Sequence, residues 1–203
     1  MTMLNFDEKK LVADLQRLSP ALRVAFAAAC AERQMPAYRS FANKHRVENP
    51  DTLDRALDDA WLSPSKRGME PQRQLDESMA LIPQEDAVKP WTREANYAQD
   101  ASISVAYALR ARITGEAQEA AWSARHAWES LYQFVIDREG LDINQPSDMA
   151  RVLSHPLVQA ELLRQRRDLD DLLSVSGENL QQVITRLRDR AKGESETFFT
   201  VES

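Results

Sequence analysis

The sequence predicts an all-α fold: one irregular bundle of about eight to ten helices packed around a buried, alanine-rich helix. Three observations predict it. Glycine occurs only five times in 203 residues, while the strong helix formers Ala, Leu, Glu and Arg are abundant. Apolar residues recur at helical spacing in segment after segment. The stretch Ala101–Leu109 is apolar nearly all round, with Ala101, Val105, Ala108 and Leu109 on one side and Ile103, Ala106 and Tyr107 on the other. A helix of that kind needs neighbours on several faces. Asp100 and Arg110 bracket it, so it is far shorter than the roughly 20 apolar residues of a membrane span. Its alanines and serines predict close approach by neighbouring helices.

Each element has its own signals. Phe6, Leu11, Leu15 and Leu18 sit at helical spacing behind Asp7 and Glu8, acids that suit a helix start. Ser19-Pro20 marks the next start, an N-cap followed by proline in the first turn. That helix is expected to run to Met35, where Pro36 interrupts it, and to resume as a short piece through Tyr38 and Phe41. Asn49-Pro50 opens a third, with Leu53, Ala56, Leu57, Ala60 and Trp61 as its stripe. Ser63–Gln72 is a loop, rich in proline and charge. Leu75, Met79 and Ile82 mark a short helix that Pro83 stops.

Thr92 caps the central helix, and Thr114-Gly115 turns the chain back into a partner that packs antiparallel to it. Ala117, Ala121, Ala124, Trp128, Leu131 and Val135 form that partner's seam. Trp122, His126 and Ile136 lie about 140° away from the seam. Gly140 ends it. Ser147 is expected to cap a short turn, and His155-Pro156 to open a longer helix with Val158, Leu162, Leu169 and Leu172 on one face. Ser176-Gly177 breaks the pattern. A last amphipathic helix then runs to Gly193, so residues 1–193 form one domain and 194–203 a tail.

Composition narrows function. A net charge of −6 argues against a broad nucleic-acid surface, and the arginines at 164, 166, 167, 186, 188 and 190 are interleaved with acids that cancel their field. Cys30 stands alone, so neither an intramolecular disulfide nor a cysteine-built zinc site is available. The opening segment carries acids and no apolar run, which points to a cytoplasmic protein. Glycine-rich phosphate loops, the G-x-S-x-G elbow and H-E-x-x-H are absent. His45, His126 and His155 lack the Glu-x-x-His spacing of a di-iron bundle, so neither a metal nor another cofactor is expected. Asp58-Asp59 and Asp170-Asp171 are adjacent pairs, which point about 100° apart on a helix and read as solvated surface.

Val24–Phe41, through Val24, Phe26, Glu32, Arg33, Pro36, Tyr38 and Phe41, resembles the YjaG-like bacterial family, domain of unknown function 416. Trp61, Ile82-Pro83, the alanine-rich helix and Thr114-Gly115-Glu116 extend the resemblance over most of the chain. It implies one helical domain and brings no activity with it.

The leading functional expectation is a non-catalytic binding module for a protein partner, which self-associates as a homodimer. Trp122, His126 and Ile136, with Phe198 and Phe199 of the tail, are the surface the core does not need. The competing expectation is an enzyme or small-ligand binder in which Glu32, Arg33 and Tyr38 surround a pocket for a carboxylate or phosphate. No membrane or nucleic-acid partner is expected.

Overall fold

A computed structural model describes residues 3–47, 49–62, 70–86, 88–175 and 179–199. Among these the helices are α1 (Glu8–Gln16), α2 (Pro20–His45), α3 (Asp51–Ala60), α4 (Pro71–Met79), α5 (Arg93–Thr114), α6 (Ala117–Glu139), α7 (Pro146–Ser154), α8 (Pro156–Leu173) and α9 (Leu180–Ser195). No strand occurs among the described residues. Residues 63–69 of the expected Ser63–Gln72 loop, the break at 176–178 and the end of the tail lie outside them.

Helix boundaries follow local chemistry. The Asp7 side chain accepts from the Lys10 amide and Thr92 Oγ1 from the Ala95 amide, each satisfying a first-turn donor. Gly115 and Gly140 close α5 and α6 at φ of 73° and 65°, a left-handed backbone that costs a side-chain-bearing residue about 1 kcal/mol or more. His155 caps α8 by accepting from the Leu157 amide. The start of α7 falls at Gln145-Pro146, ahead of the Ser147 expected from sequence.

Two boundaries differ from expectation. Helix α2 runs unbroken through Pro36 for 26 residues. Proline removes one backbone hydrogen bond and costs about 3 kcal/mol inside a helix. Tyr38, Phe41 and Ala42, all buried beyond it, return more than that, at about 1.5–3 kcal/mol for each large side chain. Helix α9 likewise passes Gly193 and ends at Ser195. Glycine in a helix costs only about 1 kcal/mol. Buried Ala191 and the anchored carboxylate of Glu194 hold the turn on both sides of it.

The centre of the bundle is shared. Helix α5 packs against α2, α3, α4 and α6, as its apolar character requires. Helix α2 has still more neighbours, α3, α5, α6, α8 and α9, and every residue from Val24 to Met35 is buried. Small residues set the spacing where α2, α5 and α6 meet. Ser123 Oγ lies 2.7 Å from Ser104 Oγ and 3.0 Å from the Ala27 carbonyl, contacts that longer side chains would prevent. The tail folds back onto the body: Phe198 is fully buried, and Phe199 meets the rings of Tyr97 on α5 and Phe134 on α6.

Candidate functional site: a buried ion cluster and an open helix pair

Neighbouring residues on a helix diverge by 100°, so α2 cannot aim Glu32 and Arg33 into one pocket. Glu32 faces α3 and α9, where its Oε2 accepts from the Trp61 indole at 2.9 Å and lies 4.0 Å from Arg188 Nε. Burial raises the Glu32 carboxyl above its ordinary range, and the Trp61 hydrogen bond opposes part of that rise. Arg188 also stacks over the Trp61 ring and pairs with Asp58. Tyr38 points elsewhere again. Its hydroxyl is buried without a hydrogen-bond partner among the described residues, and burial, with Asp54 nearby, pushes it up to about 12. The three candidates therefore do not converge.

Arg33 is fully buried and faces α8. Its Nε donates to Glu161 Oε2 at 3.0 Å and its Nη2 to Glu161 Oε1 at 2.9 Å, a bidentate fork. Nη1 donates to Asp168 Oδ2 at 2.8 Å and lies 3.6 Å from Glu194. Nη2 also lies 3.5 Å from Cys30 Sγ. Burial alone would lower the guanidinium pKa; Glu161, Cys30 and Asp168 reverse that and hold it well above its usual value. Every nitrogen of Arg33 is engaged, and the one N–H without a hydrogen bond, on Nη1, lies beside the Glu194 carboxylate at 3.6 Å. Burial pushes the Cys30 thiol far above its ordinary range, where it stays protonated.

Around this pair arginines and carboxylates interlock. Asp168 Oδ1 accepts from Arg190 at 2.8 Å and Arg167 at 3.1 Å, Arg167 also donates to Glu194 at 2.6 Å, and Arg190 to Asp171 at 2.6 Å. Gln165 donates to Glu161 and to the Ala124 carbonyl of α6. The cluster ties α2, α6, α8 and α9 together. Glu161, Gln165 and Asp168 were not singled out in the sequence, and Asp168 reads there as a surface acid. The signal exists: positions 161, 165 and 168 repeat by four and three and share a row with buried Leu172, beside the stripe of Leu162 and Leu169.

The second candidate group lies on the outward side of the antiparallel pair α5 and α6. A ladder crosses between the helices. Arg110 pairs with Glu119 at 2.8 Å, Tyr107 stacks near Trp122 and His126, His126 Nδ1 lies 3.0 Å from Asp100, and Tyr97 donates to Asp137 at 2.9 Å. Ile103, Tyr107, Trp122 and His126 remain half-buried. Burial raises the Asp100 carboxyl, and the His126 contact lowers it in part. Of the apolar groups expected to meet a partner, Trp122 and His126 fall on this face and Ile136 packs partly against the core. Phe198 does not: it is spent inside the chain's own core. The reason is non-local, since Tyr97 and Phe134 are distant in sequence and form the seat for the tail only once α5 and α6 pair.

The other histidines are apart. His45 stacks on Phe41, and His155 Nε2 lies 3.2 Å from Glu139. No group of three or more metal-ligating side chains gathers among the described residues, and no helix among them is long and apolar enough to cross a membrane.

No curated protein matches this chain. The crystal structure of a DUF416 family protein from Shewanella baltica OS155 superposes with a TM-score of 0.76 at 16% identity, covering 89% of this chain and 92% of that one. At that identity the likeness speaks for the fold alone. The family described as "Protein of unknown function (DUF416)" matches residues 10–197, nearly the whole length, and the chain belongs to the DUF416 family.

Proposed function

We propose that this protein is a cytoplasmic, non-catalytic interaction module that associates with a second copy of itself through the outward face of α5 and α6. The observation that carries the reading is the half-open aromatic group of Tyr107, Trp122 and His126, with Ile103 beside it, on the two long helices α5 and α6. Aromatic side chains give large contact area for little ordering cost, which suits an interface centre. Charge supports the choice of partner. A chain of net charge −6 repels its copy, but on this face Arg110 and Arg125 stand among Asp100, Glu119 and Glu129. Two such pairs related by a twofold axis make a four-helix layer, a self-complementary arrangement. Glu32 and Arg33 support the absence of catalysis in this reading, because internal partners occupy both.

Sedimentation velocity tests it. The parent should sediment as a dimer at micromolar concentration and Trp122→Glu as a folded monomer. Ile143→Glu, at an exposed apolar residue after α6, should leave the dimer unchanged. A parent that stays monomeric up to about 100 μM contradicts the reading.

A further inference from the structure

Residues 3–7 form no helix, and exposure alternates along them: Met3, Asn5 and Asp7 are exposed while Leu4 and Phe6 are half-buried. That period of two belongs to an extended chain with one face against the body. The body grips it at two points. Gln159 of α8 donates from Nε2 to the Leu4 carbonyl at 2.9 Å and accepts at Oε1 from the Leu4 amide at 2.9 Å. Nε2 also donates to the Leu153 carbonyl on α7 at 2.7 Å, which holds the amide in that orientation. A side-chain amide used in this way copies one residue of a neighbouring β-strand, and it reads backbone, not side chain. Two residues on, the Phe6 ring stacks on Trp128 of α6, with centroids 5.2 Å apart and an interplanar angle of 8°. Tyr132 lies against the Trp128 ring in turn. The clamp is the segment's whole polar hold: among the described residues, Leu4 alone of residues 3–6 hydrogen-bonds another residue. Beside the segment a cavity of about 160 Å³ stays open toward Leu162 and Leu169 of α8, so the present occupant does not fill the groove. Helix α1 does not need residues 3–6 for its start, because Asp7 supplies the cap.

We propose that the groove between α6 and α8 is a docking site for an extended peptide of a partner protein, with residues 3–6 as its built-in competitor. The peptide carries an apolar residue at the clamp and an aromatic residue two positions later, as the seated segment does. The backbone clamp selects the extended form and rejects proline, or any residue without an N–H, at the first position. The Trp128 face selects a ring at the second. Because the competitor is tethered, it holds the groove at a high effective concentration, and a partner enters only as the segment leaves. The site shares no residue with the outward α5/α6 face and is independent of self-association.

Leu4→Pro combined with Phe6→Ala, in the full chain, removes the clamped N–H and the stacked ring of the competitor. Titration with acetyl-Met-Leu-Asn-Phe-Asp amide, followed by nitrogen–proton NMR, reads the Gln159 side-chain amide and the Trp128 indole directly. The variant should show saturating shifts of both signals with a Kd of about 1 mM, and the parent should bind at least about tenfold more weakly. Peptides with N-methylleucine at the clamp, or with alanine for phenylalanine, should bind the variant about fivefold more weakly than the first peptide. Phe6→Ala alone takes the place of the double variant if that does not fold. Absence of saturation by about 10 mM peptide overturns the proposal, as does equally tight binding by the parent or of the N-methylated peptide.

Discussion

Replacing Arg33 with methionine keeps most of the side chain's volume and removes its charge. Five contacts go with it, the two-bond fork to Glu161, the bond to Asp168 and the approaches to Glu194 and Cys30. The two carboxylates fare differently. Asp168 keeps Arg167 and Arg190, whereas Glu161, fully buried, keeps only the Gln165 amide and Arg164 at 3.9 Å. Breaking a buried pair by removing one partner costs about 3–5 kcal/mol, because the other charge stays buried without compensation. For a domain of this length that is a fall in Tm of roughly 6–20 °C. Urea unfolding of the parent, Arg33→Met, Glu161→Met and the double variant completes a cycle. The double variant should recover at least half of the loss, since the uncompensated carboxylate has gone. A single-variant loss below about 1 kcal/mol, the range of an exposed pair, would refute the reasoning. Failure of the double variant to recover would do the same.

Glu32→Gln keeps the acceptor for Trp61 and should be neutral or stabilising at neutral pH. Because the folded carboxyl has the higher pKa, the parent's folded state holds its proton longer than the unfolded chain, and stability falls as pH rises above about 4.5. Denaturation across pH 4–7 should show the variant gaining on the parent as pH rises, and a parallel profile would contradict the shift. Val105→Asp puts an unpaired charge in the middle of α5, where the site is fully buried, and should cost about 4 kcal/mol or more. A variant that melts like the parent would mean α5 is not central. Gly140→Ala should cost about 1 kcal/mol by thermal melt. Nothing lies within 4 Å of the added methyl, so the cost is backbone strain alone, and an unchanged Tm would contradict the left-handed cap.

Much of the helix order was legible because its signals are local. Ser19-Pro20, Thr92, Gly115 and Gly140 act within one turn of themselves, and each marks a boundary in the structure. Pro36 and Gly193 mislead for the same reason: a local penalty was weighed without the buried residues on the far side. At the site, Arg33 stands out in the sequence as an arginine in an alanine-rich stretch and reads as a pocket residue, so its burial was not legible. Nor were its partners, since Glu161 and Asp168 lie more than a hundred residues away and the chain does not announce which acids enter a core. Their row, shared with Leu172, was the one available sign. The seat of the tail required the pairing of α5 with α6 and could not be read before the fold.

The central claim is that association uses the α5/α6 face while the apolar tail and the Arg33 cluster serve the monomer. The chain has four tryptophans, each in a different setting. Trp122 is on the outward face, Trp61 is buried against Glu32, Trp128 stacks on Phe6 and Trp91 precedes α5. Incorporation of 5-fluorotryptophan gives four fluorine resonances, assigned by single Trp→Phe changes and followed by NMR as the protein is diluted through its dimer–monomer transition. The account predicts that the Trp122 resonance alone moves. Four resonances that ignore dilution, or movement at Trp91 or Trp128 with Trp122 fixed, would contradict it.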